Sequence, residues 1–165
     1  LKRMNRKYNL DEYRQSVNRL RKIWGDVAIT TDIIVGFPGE TDSEFNETLL
    51  FAEEIGFSQI HIFPFSPRQG TPAAKMKDQV TSAIKTKRAK QLADIEKKLR
   101  KEFLVKHIGK KVHVLFEMYE SDMLTGYTSN YLKFQTECKD NLENKICEVI
   151  VDKVENNNLI GRIVN

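Results

Sequence analysis

The chain has 165 residues, 40% hydrophobic and 30% charged, with a formal net charge of +4. That composition supports a packed core, excludes a disordered chain, and leaves no apolar run near the roughly 20 residues needed to span a bilayer. It points to a soluble, cytoplasmic protein of one medium domain, or one domain with a small appendage.

The charge is segregated. Lys and Arg outnumber Asp and Glu by 8 to 2 over residues 1–25 and by 11 to 3 over residues 85–111. The balance reverses to 3 against 9 over residues 26–84 and 5 against 9 over residues 112–165. Basic stretches of this kind suit phosphate backbones or form solvated helix faces, and the composition is compatible with both. The opening Leu-Lys-Arg-Met-Asn-Arg has neither an initiator Met nor the apolar core of a signal peptide, so the chain reads as a C-terminal piece of a longer one.

Asn9 followed by Glu12 predicts a capped helix with Leu10, Tyr13, Val17, Leu20 and Trp24 as its apolar stripe and Gly25 as its stop. Val27–Val35 reads as a buried strand. Thr41-Asp-Ser-Glu44 is a second capping box, opening a helix whose stripe is Phe45, Leu49, Ala52 and Ile55 and which Gly56 ends. Ser58–Phe65 is the next strand. Short links between helix and strand imply parallel pairing. A loop over 66–80 precedes a long helix, about 82–107, with Ile84, Leu92, Ile95, Leu99 and Phe103 on one side and most of its Lys and Arg elsewhere. Residues 110–117, 123–128, 132–136, 146–154 and 159–164 then read as five short strands of a small closed or partly closed barrel, with the domain boundary at Ile108–Gly109.

Three segments bear on chemistry. Gly36-Phe-Pro-Gly-Glu40 follows a strand directly; its glycines allow close backbone approach to a ligand, while Glu40 suits either a ligand or the following helix N-terminus. Asp32, in an otherwise apolar strand, needs a partner if buried: it belongs to a structural network or faces a substrate. Arg68, in Ser66-Pro-Arg-Gln-Gly-Thr-Pro72, stands just beyond a strand end, where a guanidinium can grip a carboxylate or phosphate. Cys138 and Cys147 match no zinc or iron–sulfur spacing and read as reduced structural thiols. His61, His107 and His113 have no metal-ligand spacing. Tyr127, Asn130, Tyr131, Lys133 and Phe134 gather aromatics and cations about one hairpin, suited to stacking on unpaired bases or to core packing.

Leu1-Lys-Arg-Met-Asn-Arg-Lys-Tyr8, Thr30–Thr41 and Phe65-Ser-Pro-Arg-Gln-Gly-Thr-Pro-Ala-Ala-Lys-Met76, in this order, resemble the C-terminal half of a radical S-adenosylmethionine (SAM) methylthiotransferase. The tail resembles the TRAM domain of those enzymes. His61-Ile-Phe-Pro-Phe65 and Gly126–Lys133 are most similar to the branch acting on threonylcarbamoyladenosine in tRNA.

The resemblance implies an α/β fold: residues 1–80 as the C-terminal part of a (β/α)6 radical SAM barrel, 81–108 as a connecting helix, and 109–165 as a five-stranded antiparallel, OB-like TRAM barrel. It implies methylthiolation at C2 of the adenosine 3′ to the anticodon, with SAM and 4Fe–4S clusters in the parent protein. This piece, lacking the cluster cysteines, is expected to bind neither a metal nor a cofactor and to be inactive. By position, Ile34, Gly36, Phe37, Phe63 and Phe65 would border SAM, and Arg68 and Asp32 would face the substrate. Lys85, Arg88, Lys97, Arg100, Lys101, Tyr127, Tyr131 and Lys133 would meet the tRNA anticodon stem-loop. The isopentenyladenosine branch and a non-catalytic RNA-binding module are the alternatives. The sequence names no sulfur donor. A missing fourth barrel strand would leave Val27–Val35 with an open edge, so the piece alone is expected to self-associate through Ala28–Ile34 or to leave its barrel half partly disordered.

Overall fold

The computed structural model describes residues 1–164, and the chain falls into two compact units, Leu1–Leu99 and Arg100–Asn165. Residue 165, the last of the expected barrel, lies outside the described residues.

In the first unit, helix α1 spans Leu10–Trp24 and helix α2 spans Asp42–Ile55, each opened by a capping box, Asn9 with Glu12 and Thr41 with Glu44. These reciprocal bonds satisfy first-turn amides that would otherwise lack partners. Gly25 and Gly56, both at positive φ, end the two helices, and each donates its N–H back into the last turn. Strands β1 (Thr30–Val35) and β2 (Gln59–Pro64) pair in parallel, from Thr30 opposite Gln59 to Val35 opposite Pro64. The expected portion of a closed barrel is therefore a two-stranded parallel sheet, in which β1 pairs on one side only. Its core is Val17, Ile29, Val35, Phe45, Ala52, Ile55, Phe57 and Ile60, joined by Leu92 and Leu99.

The α1 stripe is only partly covered. Val17 is buried and Tyr13 packs edge-on against Phe51 and Phe57, but Leu20 and Trp24 are exposed, Trp24 by 63%. Residues 66–80, read as a loop, include a single 3-10 turn at Pro72–Lys75 capped by Thr71. Helix α3 runs from Ser82 to Val105.

The second unit contains β3 (Lys111–Glu120), β4 (Met123–Thr128), β5 (Lys133–Glu137), β6 (Ile146–Glu155) and β7 (Asn158–Ile163). The ladders run β3-β4-β5-β7-β6, and β6 returns to pair with β3, so the ring of pairings closes. It is not wholly antiparallel as expected, because β5 and β7 run parallel through Phe134–Leu159 and Gln135–Ile160. The reason is connectivity: β7 leaves its hairpin with β6 and meets β5 from the far side of the ring. Leu104, Val114, Phe116, Leu124, Leu132, Phe134, Val149, Val151 and Leu159 form its core.

Two glycines make this small ring possible. Gly126 pairs with Phe116 and Gly161 with Val151, and each partner immediately precedes a break in register on its strand. A Cβ on Gly126 would lie 2.1 Å from the Leu115 carbonyl oxygen, and one on Gly161 would lie 1.9 Å from that of Ile150. Bulge and missing side chain together let each hairpin bend sharply over the core.

Candidate active site and nucleic-acid surface

A cavity of about 1030 Å³ runs along β1 to the carboxyl ends of β1 and β2 in the first unit, from Tyr13, Phe51 and Phe57 to Phe65 and Arg68. Parallel strands deliver their C-terminal ends and following loops to such sites. Thr31, Asp32, Ile33 and Ile34 enter its wall from β1, and Phe63, Pro64 and Phe65 from β2 and its end. Phe37 and Phe65 meet edge to face, with ring centroids 5.2 Å apart.

The loop between β1 and α2 is held by its own side chain. Glu40 Oε2 accepts the Gly36 N–H at 2.7 Å, and the Glu40 N–H donates to the Phe37 carbonyl at 2.9 Å. Gly36 and Gly39 have φ of 73° and 77°, a region that costs a side-chain-bearing residue strain. Gly39 in turn donates to the Asp78 carbonyl, and Phe65 donates to the Val35 carbonyl, tying the two strand ends together.

Helix α3 fastens this assembly from behind. Arg88, only 4% exposed, donates through Nη1 to the Glu40 carboxylate at 2.6 Å and to its backbone carbonyl at 3.0 Å, and through Nη2 to Asp42 at 2.7 Å. Its hydrogen bond and charge hold the Asp42 carboxyl below the ordinary carboxylate range. One turn earlier, Lys85 donates from Nζ to the Phe65 carbonyl at 2.9 Å, and its stem lies where a Cβ on Gly36 would be. Lys85 and Arg88, expected at RNA, are thus both engaged within the first unit. Arg88 is enclosed and ion-paired, and the Lys85 ammonium is engaged with a backbone carbonyl. The signal for Arg88 was present in the sequence: it stands four residues after Ile84 and four before Leu92, on the apolar stripe.

The cavity gathers six of the seven residues expected at the cofactor and substrate: Asp32, Ile34, Phe37, Phe63, Phe65 and Arg68. Gly36 is buried beneath Lys85 and shapes the wall without lining it. Asp32 is exposed, so burial does not oblige it to join a network. Arg68 is exposed at the rim, while its carbonyl accepts from the N–H and the hydroxyl of Thr71. Sequence reasoning missed the contribution of the first residues. Lys2, Arg3, Arg6 and Tyr8 also line the cavity, and their clustering beside the motif that opens the chain was the available signal.

The family model of the Radical SAM superfamily matches residues 1–52. The threonylcarbamoyladenosine tRNA methylthiotransferase MtaB of Bacillus subtilis is 39% identical over 158 residues, 93% of this chain and 35% of that protein. The protein of the same name from Thermotoga maritima is 45% identical over 136 residues, covering 82% of this chain and 31% of its own length. A tRNA-2-methylthio-N(6)-dimethylallyladenosine synthase of Geobacillus kaustophilus is 38% identical over 168 residues, all of this chain and 32% of that protein. This chain belongs to the radical SAM tRNA methylthiotransferase family. It spans about a third of the length of these curated relatives.

The groups that a radical SAM protein uses fit this chain unequally. The apolar, aromatic wall of Ile34, Phe37, Phe63 and Phe65 suits a purine ring. An iron–sulfur cluster does not fit the residues present. Cys138 and Cys147 sit half-buried against the core of the second unit, and among the described residues no group of three His, Cys, Asp or Glu is placed to hold a metal ion. No helix among the described residues is long and apolar enough to cross a membrane.

The other residues expected at RNA are placed as follows. Lys97 and Lys101 are exposed on α3, and Arg100 is half-buried. In the second unit, Tyr127 and Lys133 are cross-strand partners and line a shallow cavity of about 520 Å³ beside Glu117 and Glu120. Tyr131 is 86% exposed at the tip of the 128–132 turn, with φ 57°, an uncommon conformation for an aromatic residue. Its N–H donates to the Thr128 carbonyl.

Proposed function

We propose that this chain is the C-terminal part of a tRNA methylthiotransferase that adds a methylthio group to C2 of N6-threonylcarbamoyladenosine next to the anticodon. The observation that carries the reading is the cavity over the β1 and β2 ends, in which an aromatic wall and Arg68 and Asp32 stand together. Ile34, Phe37, Phe63 and Phe65 take the adenine of SAM, with Gly36 setting the course of the backbone beside it. When bound, SAM supplies the radical chemistry and the methyl group. Arg68 grips an anionic group of the tRNA nucleotide, and Asp32 accepts a hydrogen bond from an N–H or O–H of the same nucleotide. Glu40, held by Arg88, keeps the loop that carries Phe37 in one conformation.

The 4Fe–4S clusters belong to the part of the longer protein that this piece lacks, so the piece alone is inactive. The second unit is a TRAM-like barrel, and its strand order β3-β4-β5-β7-β6 supports the OB-like reading. It approaches the anticodon stem-loop with Tyr127, Tyr131 and Lys133. The enzyme works in the cytoplasm, and the free edge of β1 lets the isolated piece self-associate.

The deciding experiment is methylthiolation by the full-length protein, with tRNA carrying either threonylcarbamoyladenosine or isopentenyladenosine. Product only from the first supports the reading. Product only from the second assigns the chain to the dimethylallyladenosine synthases, which match it over comparable lengths. Neither product, with tRNA still bound, makes it a non-catalytic RNA-binding module.

A further inference from the structure

The first six residues form a built turn. Asn5 donates its N–H to the Lys2 carbonyl and Arg6 donates to that of Leu1, while Asn5 adopts φ 56°. Arg3 anchors this turn to the body of the unit: its Nη2 reaches both Glu44 carboxylate oxygens, at 2.8 and 2.9 Å, and the Gly39 carbonyl at 3.3 Å.

The anchoring divides the charges around the cavity. Of its cations, Arg3 is consumed by Glu44; of its carboxylates, Glu44 is held by Arg3 and Glu40 by Arg88 and Gly36. Lys2, Arg6 and Arg68 remain, all exposed, against Asp32 and Glu47. The cavity therefore combines an aromatic wall with an excess of unconsumed positive charge, two members of which sit on one fixed turn. A purine needs the first and a phosphate needs the second. We infer that Lys2 and Arg6, with Arg68 lining the same cavity, form an oxyanion clamp for the phosphate of the nucleotide whose base enters this cavity. The inference rests on the reading that the cavity admits the target adenosine nucleotide of the tRNA beside SAM, and it adds the residues that hold that nucleotide's phosphate. Because the turn is held in place by Arg3, the backbone that carries the two side chains needs little ordering on binding, which favours affinity.

The test titrates the chain with adenosine, AMP and S-adenosylhomocysteine at low ionic strength, following backbone amide shifts. AMP should bind about ten-fold more tightly than adenosine, the gain of one good charge-assisted contact. The double variant Lys2→Gln/Arg6→Gln should remove most of that difference, leaving the share of Arg68, and leave adenosine unchanged. Lys7→Gln, an exposed neighbour outside the cavity, should change nothing. All three positions are exposed, so loss of folding is not at issue. Equal affinity for AMP and adenosine overturns the clamp while sparing the cavity reading, and failure of both to bind overturns both. A Lys7→Gln effect as large as the double variant's reduces the clamp to diffuse charge and overturns it. If the double variant weakens S-adenosylhomocysteine as much as AMP, the anion is an amino-acid carboxylate and the phosphate assignment falls.

Discussion

Arg88 and Glu40, 48 positions apart, meet at 2.6 Å in a site where both side chains are largely enclosed, and Glu40 in turn holds the Gly36 N–H. The pair converts a Gly/Pro turn into a fixed wall of the cavity. The Arg88 Nε is buried without a hydrogen-bond partner, so the arrangement gives up some stability for geometry. Arg88→Met should destabilise the first unit by about 3 kcal/mol, because it leaves Glu40 enclosed and uncompensated. Adding Glu40→Gln should recover part of that loss. Urea unfolding of the two variants checks the sign, and amide exchange at Gly36 should quicken in both.

Glu44 accepts hydrogen bonds from Arg3 and from the Thr41 N–H, which draw its pKa down from 4.5 to about 2. A depressed carboxyl contributes stability above its unfolded value, and that contribution is lost as pH falls through the window from 4.5 to about 2. The side chains are about half exposed, so solvent screening keeps the effect small. Carboxyl-detected titration should show Glu44 protonating near pH 2 in the natural chain and closer to its ordinary value in Arg3→Ala. The stability difference between the two should be present at neutral pH and vanish by pH 2.

Gly126→Ala and Gly161→Ala should each destabilise the second unit by about 1–3 kcal/mol, since backbone must move to admit a methyl group. Gly70→Ala has open space around its would-be Cβ but a φ of 86°, so its cost is backbone strain alone and should be about 1 kcal/mol. Thermal unfolding followed by near-UV dichroism separates the three.

Lys97 and Lys101 are the expected RNA contacts on α3 that remain exposed. Lys97→Gln and Lys101→Gln should each reduce the salt slope of anticodon stem-loop binding by about 0.7–0.9, one phosphate contact apiece. Lys85→Gln should leave the slope unchanged and loosen the Phe65 strand end instead. Binding isotherms across a salt series test both statements.

Local order was legible wherever a short-range rule applies. Asn9 with Glu12, Thr41 with Glu44, and Gly56 marked helix ends because capping is settled within four residues. Ile34, Phe37, Phe63, Phe65 and Arg68, singled out through the family resemblance, line one cavity because parallel strands present their C-terminal ends together. What eluded the sequence was non-local. The parallel β5–β7 ladder depends on how the ring of strands returns on itself, and nothing in Phe134-Gln135 or Leu159-Ile160 encodes direction. The spacing of Arg88 on the apolar stripe marks it for burial but does not name its partners, which lie 46 and 48 residues away. Leu20 and Trp24 obey helical spacing, yet spacing does not say whether anything covers the stripe.

The two creased hairpins carry a consequence for how the second unit finds its register while folding. Sliding β4 past β3 by one residue would bring Thr125 or Tyr127 toward a corner that accepts no side chain, and would turn the buried set of β4 outward. The same holds for β7 against β6 at Gly161. Each hairpin therefore has one alignment that closes and neighbours that clash at once. A mispaired hairpin should be rejected early, before the ring joins, instead of persisting as a trapped near-native state.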